Sequence, residues 1–333
     1  MQNTQITLAA RPQGMAKTSD FNLKISDIPA LNDGQFLVKT EIISLDPAIR
    51  GWMNAGTTYI PGIEIGAVVR AFAAGRIVAS HHIGFEAGEY VVGLLGAQQY
   101  AISDGQGITK VVTTAVPLSW HLGILGMPGM TAYFGLLEKG KPVSGETVFI
   151  SGAAGIVGTT VGQIAKIKGC RVVGTAGTDE KCRFLTEKMG FDLAINYKKQ
   201  DIDAVLRERC PEKINVFFDN VGGDQLDIAL ANLAMGARVV ICGAISQYNN
   251  TSALQGPKNY MKIITARGYM TGIIVFDYFE QYPRAIADIS VWLKAGLMTT
   301  QEDIYEGIEN FPETLQKLYT GENFGKLLLK IST

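Results

Sequence analysis

The sequence predicts an α/β chain in two parts, a compact mostly-β region and a doubly wound parallel sheet. Three observations carry this. The first ~120 residues hold short β-like runs broken by Gly, Pro and Asp, with no long amphipathic helix. From Ser119 onward, apolar runs alternate with helical patterns. The stretch Val148–Gly158, V-F-I-S-G-A-A-G-I-V-G, leads a continuous apolar run into a glycine-rich turn and then a helical pattern.

In the first part, strands are expected within Gln35–Ile43, Gly66–Val69, Tyr90–Leu95 and Gln99–Ile102. Leu122–Glu138 reads as helical around the interruption M-P-G-M-T-A-Y. The strands that follow are expected at Thr147–Ser151, Arg171–Thr175, Leu193–Asn196, Val216–Asp219, Ala237–Cys242 and Ile263–Met270. Helices are expected between them at Ile156–Lys168, Asp179–Met189, Ile202–Cys210 and Gly223–Leu233. The tail predicts a helix over Phe279–Ala295, then a strand at L-L-L-K-I within Glu322–Ile331 that returns to the first part.

The bulk composition excludes several classes of function. The 333 residues are 47% hydrophobic and 18% charged, which is core-rich and globular. A net charge of −1 offers no basic surface for nucleic acid and no attraction to anionic membranes. No apolar run reaches the length of a membrane span, and Met-Gln-Asn-Thr-Gln does not begin a signal peptide. Cys170, Cys182, Cys210 and Cys242 are widely spaced with no C-x-x-C pair. They read as small core residues in a reducing compartment, and the cytoplasm is the expected location.

Ala153, Gly155 and Gly158 stand in A-x-G-x-x-G spacing. Small residues there let the backbone turn tightly and approach a pyrophosphate, and the helix N-terminus offers N–H groups and partial positive charge. The bland alternative is an ordinary tight β–α connection. An NAD site usually carries an acid at the end of the second strand. Here that strand ends V-G-T-A-G-T, with no acid before Asp179 and Glu180. Those two suit a helix first turn capped by Thr178. Lys181, a cation near a helix N-terminus, is disfavoured by roughly 0.3–1 kcal/mol unless a negative group lies close. The 2′-phosphate of NADP would be such a group; a solvated lysine paired with a neighbouring carboxylate is the equal alternative.

Several further stretches occur in one order: G-M-P-G-M-T-A-Y (126–133), S-G-A-A-G-I-V-G (151–158), G-Q-I-A-K-I-K-G-C (162–170), D-E-K-C (179–182), I-N-Y-K (195–198), F-D-N-V-G-G (218–223), C-G-A-I-S-Q-Y-N (242–249) and N-F-G-K (323–326). Together they resemble the medium-chain dehydrogenase/reductase superfamily, in its zinc-free branch of NADPH-dependent double-bond reductases. The resemblance implies a GroES-like catalytic domain over 1–121, completed by 300–333, and a Rossmann NADP-binding domain over 122–299. It implies that Lys181 and Tyr197 hold the 2′-phosphate. It implies further cofactor contacts at Ala153, Gly155, Ile156, Val157, Gly158, Gly177, Asn220, Cys242, Ala244, Ser246, Tyr248 and Asn323. Met127 and Thr131 are expected at the nicotinamide end. A homodimer is the family expectation.

The zinc enzymes of the superfamily use a Cys and a His of the first domain, which here contains no Cys. Where those enzymes read P-G-H-E, this chain reads Pro61-Gly62-Ile63-Glu64. His81, His82 and His121 are the only histidines, and His81–His82 is expected in a surface loop. No metal site and no nucleophile elbow are expected. Reduction of a conjugated C=C suits a site without a Lewis acid. Hydride goes to the β-carbon, charge collects on the carbonyl oxygen, and a hydroxyl stabilises and protonates the enolate. The candidate hydroxyls are Tyr248 and Tyr260, then Tyr59, with Tyr133 a weaker fourth. Met53, Met127, Met270, Ile273 and Tyr278 would suit an apolar enone, or are plain core. Quinone reduction and a non-catalytic NADPH-binding role are the alternatives.

Overall fold

The computed structural model describes residues 1–56, 58–252 and 256–331. It divides into two compact units, Met1–Gly123 with Glu302–Thr333, and Ile124–Gln301.

The first unit begins with the antiparallel ribbon β1 (Gln2–Leu8) and β2 (Phe21–Asp27). Then come β3 (Phe36–Ser44), the short helix α1 (Ala48–Trp52), β4 (Ala73–Ser80), β5 (Tyr90–Gly93), β6 (Tyr100–Ser103) and β7 (Thr109–Val111). The second unit follows with α2 (Met127–Phe134), β8 (Thr147–Ile150), α3 (Ile156–Ile167), β9 (Arg171–Ala176), α4 (Asp179–Glu187) and β10 (Leu193–Asn196). It continues through α5 (Ile202–Arg209), β11 (Ile214–Asp219), α6 (Gly223–Ala231), β12 (Leu233–Ile241), α7 (Lys262–Ala266), β13 (Tyr269–Gly272) and α8 (Tyr282–Lys294). The tail re-enters the first unit with β14 (Glu302–Glu306), α9 (Phe311–Thr320) and β15 (Lys326–Lys330).

In the first unit, β15 pairs antiparallel with β3 and parallel with β14, in the order β14-β15-β3-β4-β5-β7, with β6 also on β3. Its core includes Phe36, Val38, Ile43, Ile49, Phe311 and Leu329. The returning strand is fastened by a buried charge. Lys326 Nζ donates to Asp46 Oδ1 at 2.8 Å and to the Leu45 carbonyl at 3.0 Å, while Asp46 Oδ2 accepts the Ser44 hydroxyl at 2.5 Å. Buried charges persist only when paired and hydrogen-bonded in this way.

In the second unit all six strands are parallel, in the order β10-β9-β8-β11-β12-β13. The near-continuous apolar runs reflect cover on both faces: every residue of β8 is buried. Strand order reverses between β8 and β11, so the crevice beyond their carboxyl ends is where this architecture binds ligands. The doubly wound α/β fold expected from the sequence is thus the observed one.

Three expectations need correction. Ile263–Met270 is not one strand: α7 covers Lys262–Ala266, Arg267 adopts the left-handed φ of 50°, and the strand is Tyr269–Gly272. The apolar run I-I-T-A has neither the length nor the alternation to separate a helical turn from a strand. Gly66–Val69 forms only an isolated bridge, Thr7 to Val68. The predicted Phe279–Ala295 helix starts as a 3-10 segment over Val275–Gln281 and becomes α-helical at Tyr282, with Pro283 in its first turn.

Candidate functional site

The glycine-rich turn leaves β8 and enters α3 with Gly155 as the N-cap residue. Gly155 has no side chain to cap the helix, so its first N–H groups face whatever occupies the turn. A Cβ on Gly155 would meet nothing closer than 3.7 Å, whereas a Cβ on Gly158 would lie 2.6 Å from Ala153 Cα. Gly158 is therefore required for α3 to pack on the turn. Ala153 is fully buried and its N–H donates to the Thr175 carbonyl at 2.9 Å, tying the turn to β9. Ile156 is buried and Val157 half-buried on the first turn of α3.

A buried carboxylate joins this turn to the next loop across the switch point. Asp219 Oδ1, at the end of β11, accepts the Ser151 hydroxyl at 2.7 Å and the Val221 and Gly222 N–H groups at 3.0 and 2.9 Å. Ser151 Oγ in turn accepts the Asn220 N–H at 2.9 Å, and Asn220 Nδ2 donates to the Ser151 carbonyl at 2.8 Å. The Asp219 carbonyl accepts the Cys242 and Gly243 N–H groups at 2.9 and 3.0 Å, which brings in the loop after β12. One residue thus organises three βα loops. Burial raises its carboxyl pKa, against the opposing pull of the Gly222, Ser151 and Val221 donors, and Oδ2 has no hydrogen-bond partner among the described residues.

In the third loop, Ser246 Oγ donates to the Val221 carbonyl at 2.6 Å. The Ala244 N–H donates to the Tyr248 hydroxyl at 3.3 Å, and that hydroxyl lies 2.8 Å from where a Gly243 Cβ would stand. The Cys242 thiol is pushed up to about 12 by burial and by the nearby Asp219 carboxylate, so it stays protonated and non-nucleophilic at neutral pH.

The far end of β9 holds the groups expected to choose between coenzymes. Thr178 caps α4 by accepting the Lys181 N–H at 3.1 Å. Lys181 is only 7% exposed. Asp179 is already engaged: Oδ1 accepts Asn196 Nδ2 and Oδ2 accepts Lys199 Nζ, each at 2.5 Å. These bonds to Lys199 and Asn196 hold its carboxyl below the usual range. Between the two strand ends, a Cβ on Gly177 would lie 3.1 Å from Tyr197 Oη and 3.4 Å from Lys198 Cε. Glycine keeps open a cradle walled by a phenol and a lysine stem.

The remaining expected residues are placed as follows. On α2 the Thr131 hydroxyl donates to the Met127 carbonyl at 2.8 Å, and Thr131 is buried. Tyr133 donates to Asp288 Oδ2 at 2.5 Å, and its pKa is pushed up to about 12 by burial and that carboxylate, a structural role. Tyr260 is 57% exposed in the turn before α7. In the first unit Tyr59 is 49% exposed and its oxygen accepts the Trp52 Nε1–H at 2.9 Å. Asn323 Nδ2 donates to the Gly325 carbonyl at 3.4 Å. Of the apolar residues considered for a substrate pocket, Met53 lies in the first unit's core with no exposure, and Tyr278 stacks on Phe134 at 4.6 Å. His82 packs edge-on against Phe36 and Phe85, and its Nδ1 accepts the Gly84 N–H at 2.8 Å. Among the described residues, no group of three or more His, Cys, Asp or Glu side chains is arranged to hold a metal ion.

Two family models match the chain: the N-terminal domain of oxidoreductase over residues 4–111, and zinc-binding dehydrogenase over residues 157–290. The NADPH-dependent curcumin reductase of Escherichia coli is 38% identical over 335 residues, covering 99% of this chain and 97% of that protein. The chain belongs to the zinc-free double-bond reductase branch of the medium-chain dehydrogenase/reductase family. The NADP-dependent 2-alkenal reductase of Nicotiana tabacum is 39% identical over 336 residues, covering 99% of this chain and 98% of its own. The crystal structure of CurA from Vibrio vulnificus in complex with NADPH superposes with a TM-score of 0.94 at 40% identity, over 99% of both chains. The second family model takes its name from zinc; in this chain the residue between Gly62 and Glu64 is Ile63, whose side chain cannot ligate a metal.

Ser151, Asp219 and Lys198 were not singled out by the sequence motifs. Asp219 precedes the Asn220 of F-D-N-V-G-G, and an acid ending an otherwise apolar strand was the available signal.

Proposed function

We propose that this chain is an NADPH-dependent reductase of the carbon–carbon double bond of α,β-unsaturated ketones and aldehydes. The observation that carries the coenzyme choice is the end of β9. The Gly177 cradle is bordered by Tyr197 and Lys198, Lys181 stands on the adjoining first turn of α4, and Asp179 is turned away into its own pair with Lys199. An acid consumed in this way is not available to a ribose 2′-hydroxyl, while the cations suit a 2′-phosphate. Ala153, Gly155, Ile156, Val157 and Gly158 would hold the pyrophosphate at the helix N-terminus. Asn220, Cys242, Ala244 and Ser246 would border the nicotinamide half. Met127, Thr131 and Asn323 complete the proposed set.

When bound, NADPH supplies a hydride for the β-carbon of the substrate. The protein's part is to bind and orient, and to meet the negative charge that gathers on the carbonyl oxygen. We assign that to a tyrosine hydroxyl, Tyr248 first, then Tyr260 and Tyr59, with the α-carbon proton coming from tyrosine or water. Tyr248 leads because its oxygen belongs to the loop beside Gly243 at the switch point. An apolar enone or enal is the proposed substrate class. Four free cysteines support a reducing compartment, and we propose a cytoplasmic homodimer.

The test is a panel of enones and quinones with NADPH and NADH, with and without chelator. Saturated ketones formed preferentially with NADPH, unaffected by chelator, support the proposal. Hydroquinone as the main product, or metal-restorable inactivation, overturns it.

A further inference from the structure

We infer that Lys198 is a second cationic ligand for the coenzyme's 2′-phosphate and shares the discrimination between NADPH and NADH with Lys181. The inference rests on the coenzyme assignment proposed above and extends it to Lys198, the residue that follows Tyr197 in I-N-Y-K.

The argument starts from the turn after β10. The Asn196 side chain organises it: Oδ1 accepts the Lys198 N–H at 3.2 Å, while Nδ2 donates to Asp179 Oδ1. The Asn196 carbonyl accepts the N–H groups of Lys199 and Gln200 at 3.0 and 2.9 Å, and the Gln200 side chain accepts the Asn196 N–H at 2.9 Å. A turn held this way presents consecutive side chains in fixed directions. Lys199 goes to Asp179, forming an ion pair at 2.5 Å. Tyr197 and Lys198 go to Gly177, with Tyr197 Oη and Lys198 Cε 3.1 and 3.4 Å from the missing Cβ.

The two neighbouring lysines therefore have different fates. Lys199 is spent neutralising Asp179. Lys198 makes no ion pair with any described carboxylate, although its stem is laid against the cradle. Lys198 is exposed, and an ammonium with no carboxylate partner beside a phenol-walled cradle suits an anion supplied by a ligand. The phenol beside it offers a donor to the same anion. The chemistry that fits is a phosphate monoester on a nucleoside, the 2′-phosphate of NADPH.

The experiment is calorimetric titration of Lys198→Gln, Lys198→Arg and Lys181→Ala with adenosine 2′,5′-bisphosphate and with 5′-ADP, which lacks the 2′-phosphate. This reads binding without turnover. Lys198→Gln is expected to weaken the bisphosphate about tenfold and to leave 5′-ADP within twofold. Lys198→Arg, which keeps the charge, is expected to recover most of the loss. The salt dependence of bisphosphate binding is expected to be shallower in Lys198→Gln. If Lys198→Gln binds the bisphosphate within twofold of wild type while Lys181→Ala is weakened, the role of Lys198 is overturned and the NADPH assignment stands. If neither variant discriminates the two ligands, both fall together. Equal weakening of both ligands by Lys198→Gln likewise overturns the inference, since it reports a general disturbance of the turn.

Discussion

Ser151→Ala is the most informative single change in the cofactor crevice. The Ser151 hydroxyl donates to Asp219 Oδ1 at 2.7 Å and accepts the Asn220 and Val221 N–H groups at 2.9 and 3.2 Å. The Val221 N–H keeps Asp219 Oδ1 as an acceptor at 3.0 Å, but the Asn220 N–H has no second acceptor among the described residues. Alanine therefore orphans one amide, at about 1–3 kcal/mol, and removes a donor to a carboxylate, worth about 1.5–3 kcal/mol. The two share one atom, and about 2–4 kcal/mol in total is expected. The unit that holds Ser151 and Asp219, Ile124–Gln301, spans 178 residues. For a domain of that size each kcal/mol moves Tm by about 2–4 °C, so a fall of roughly 4–16 °C follows. Scanning calorimetry, with and without saturating NADPH, measures it. Because the hydroxyl ties the glycine turn to the Asn220 loop, NADPH and NADH should be weakened by equal factors. A Tm within 1 °C of wild type and unchanged coenzyme affinity would refute the idea that this hydroxyl braces the crevice.

Lys181→Ala should weaken NADPH by about 10- to 100-fold, the worth of one charge-assisted contact, and NADH by less than threefold; fluorescence titration compares them, and equal losses would remove Lys181 from the 2′-phosphate site. Tyr248→Phe should lower kcat for an enone at least about tenfold; unaltered kcat would hand the role to Tyr260 or Tyr59. Burial pushes the Glu146 carboxyl up, but hydrogen bonds from Arg238 and the Val143 N–H outweigh it and leave it low. A folded-state pKa below the unfolded value (~4.3) stabilises above that value and is lost as pH falls through the folded pKa. The Tm advantage of wild type over Glu146→Gln should accordingly be full at pH 6 and shrink as pH falls below about 4; an advantage undiminished at pH 3 contradicts the assignment.

The parallel sheet was legible because its strands are buried on both faces and carry unbroken apolar runs, as Val148–Ile150 and Val216–Phe218 do. The first unit was harder to read. β2, F-N-L-K-I-S-D, alternates, but its Leu23 and Ile25 are the exposed side of a two-stranded ribbon, so the pattern does not report a core face. β4 contains Ala73, Ala74 and Gly75, which have weak strand propensity, yet Gly75 is needed because a Cβ there would lie 2.1 Å from the Lys39 carbonyl oxygen. In the proposed site, the glycine turn and Lys181 stood out by spacing and by an unfavourable charge. Asp219 and Lys198 did not, because their meaning comes from partners 68 and 21 positions away in sequence, Ser151 and Gly177. Side chains whose role is set by a tertiary neighbour leave no local period to detect.

The central claim is that this zinc-free reductase adds hydride to the β-carbon of an enone. Incubation of the enzyme with NADPH deuterated at both C4 positions and a simple enone, followed by NMR of the product, tests it directly. The account requires a saturated ketone bearing a single deuterium on the carbon that was β to the carbonyl. Deuterium on the carbonyl carbon of an allylic alcohol, or an enone returned unchanged while NADPH stays bound, would contradict it.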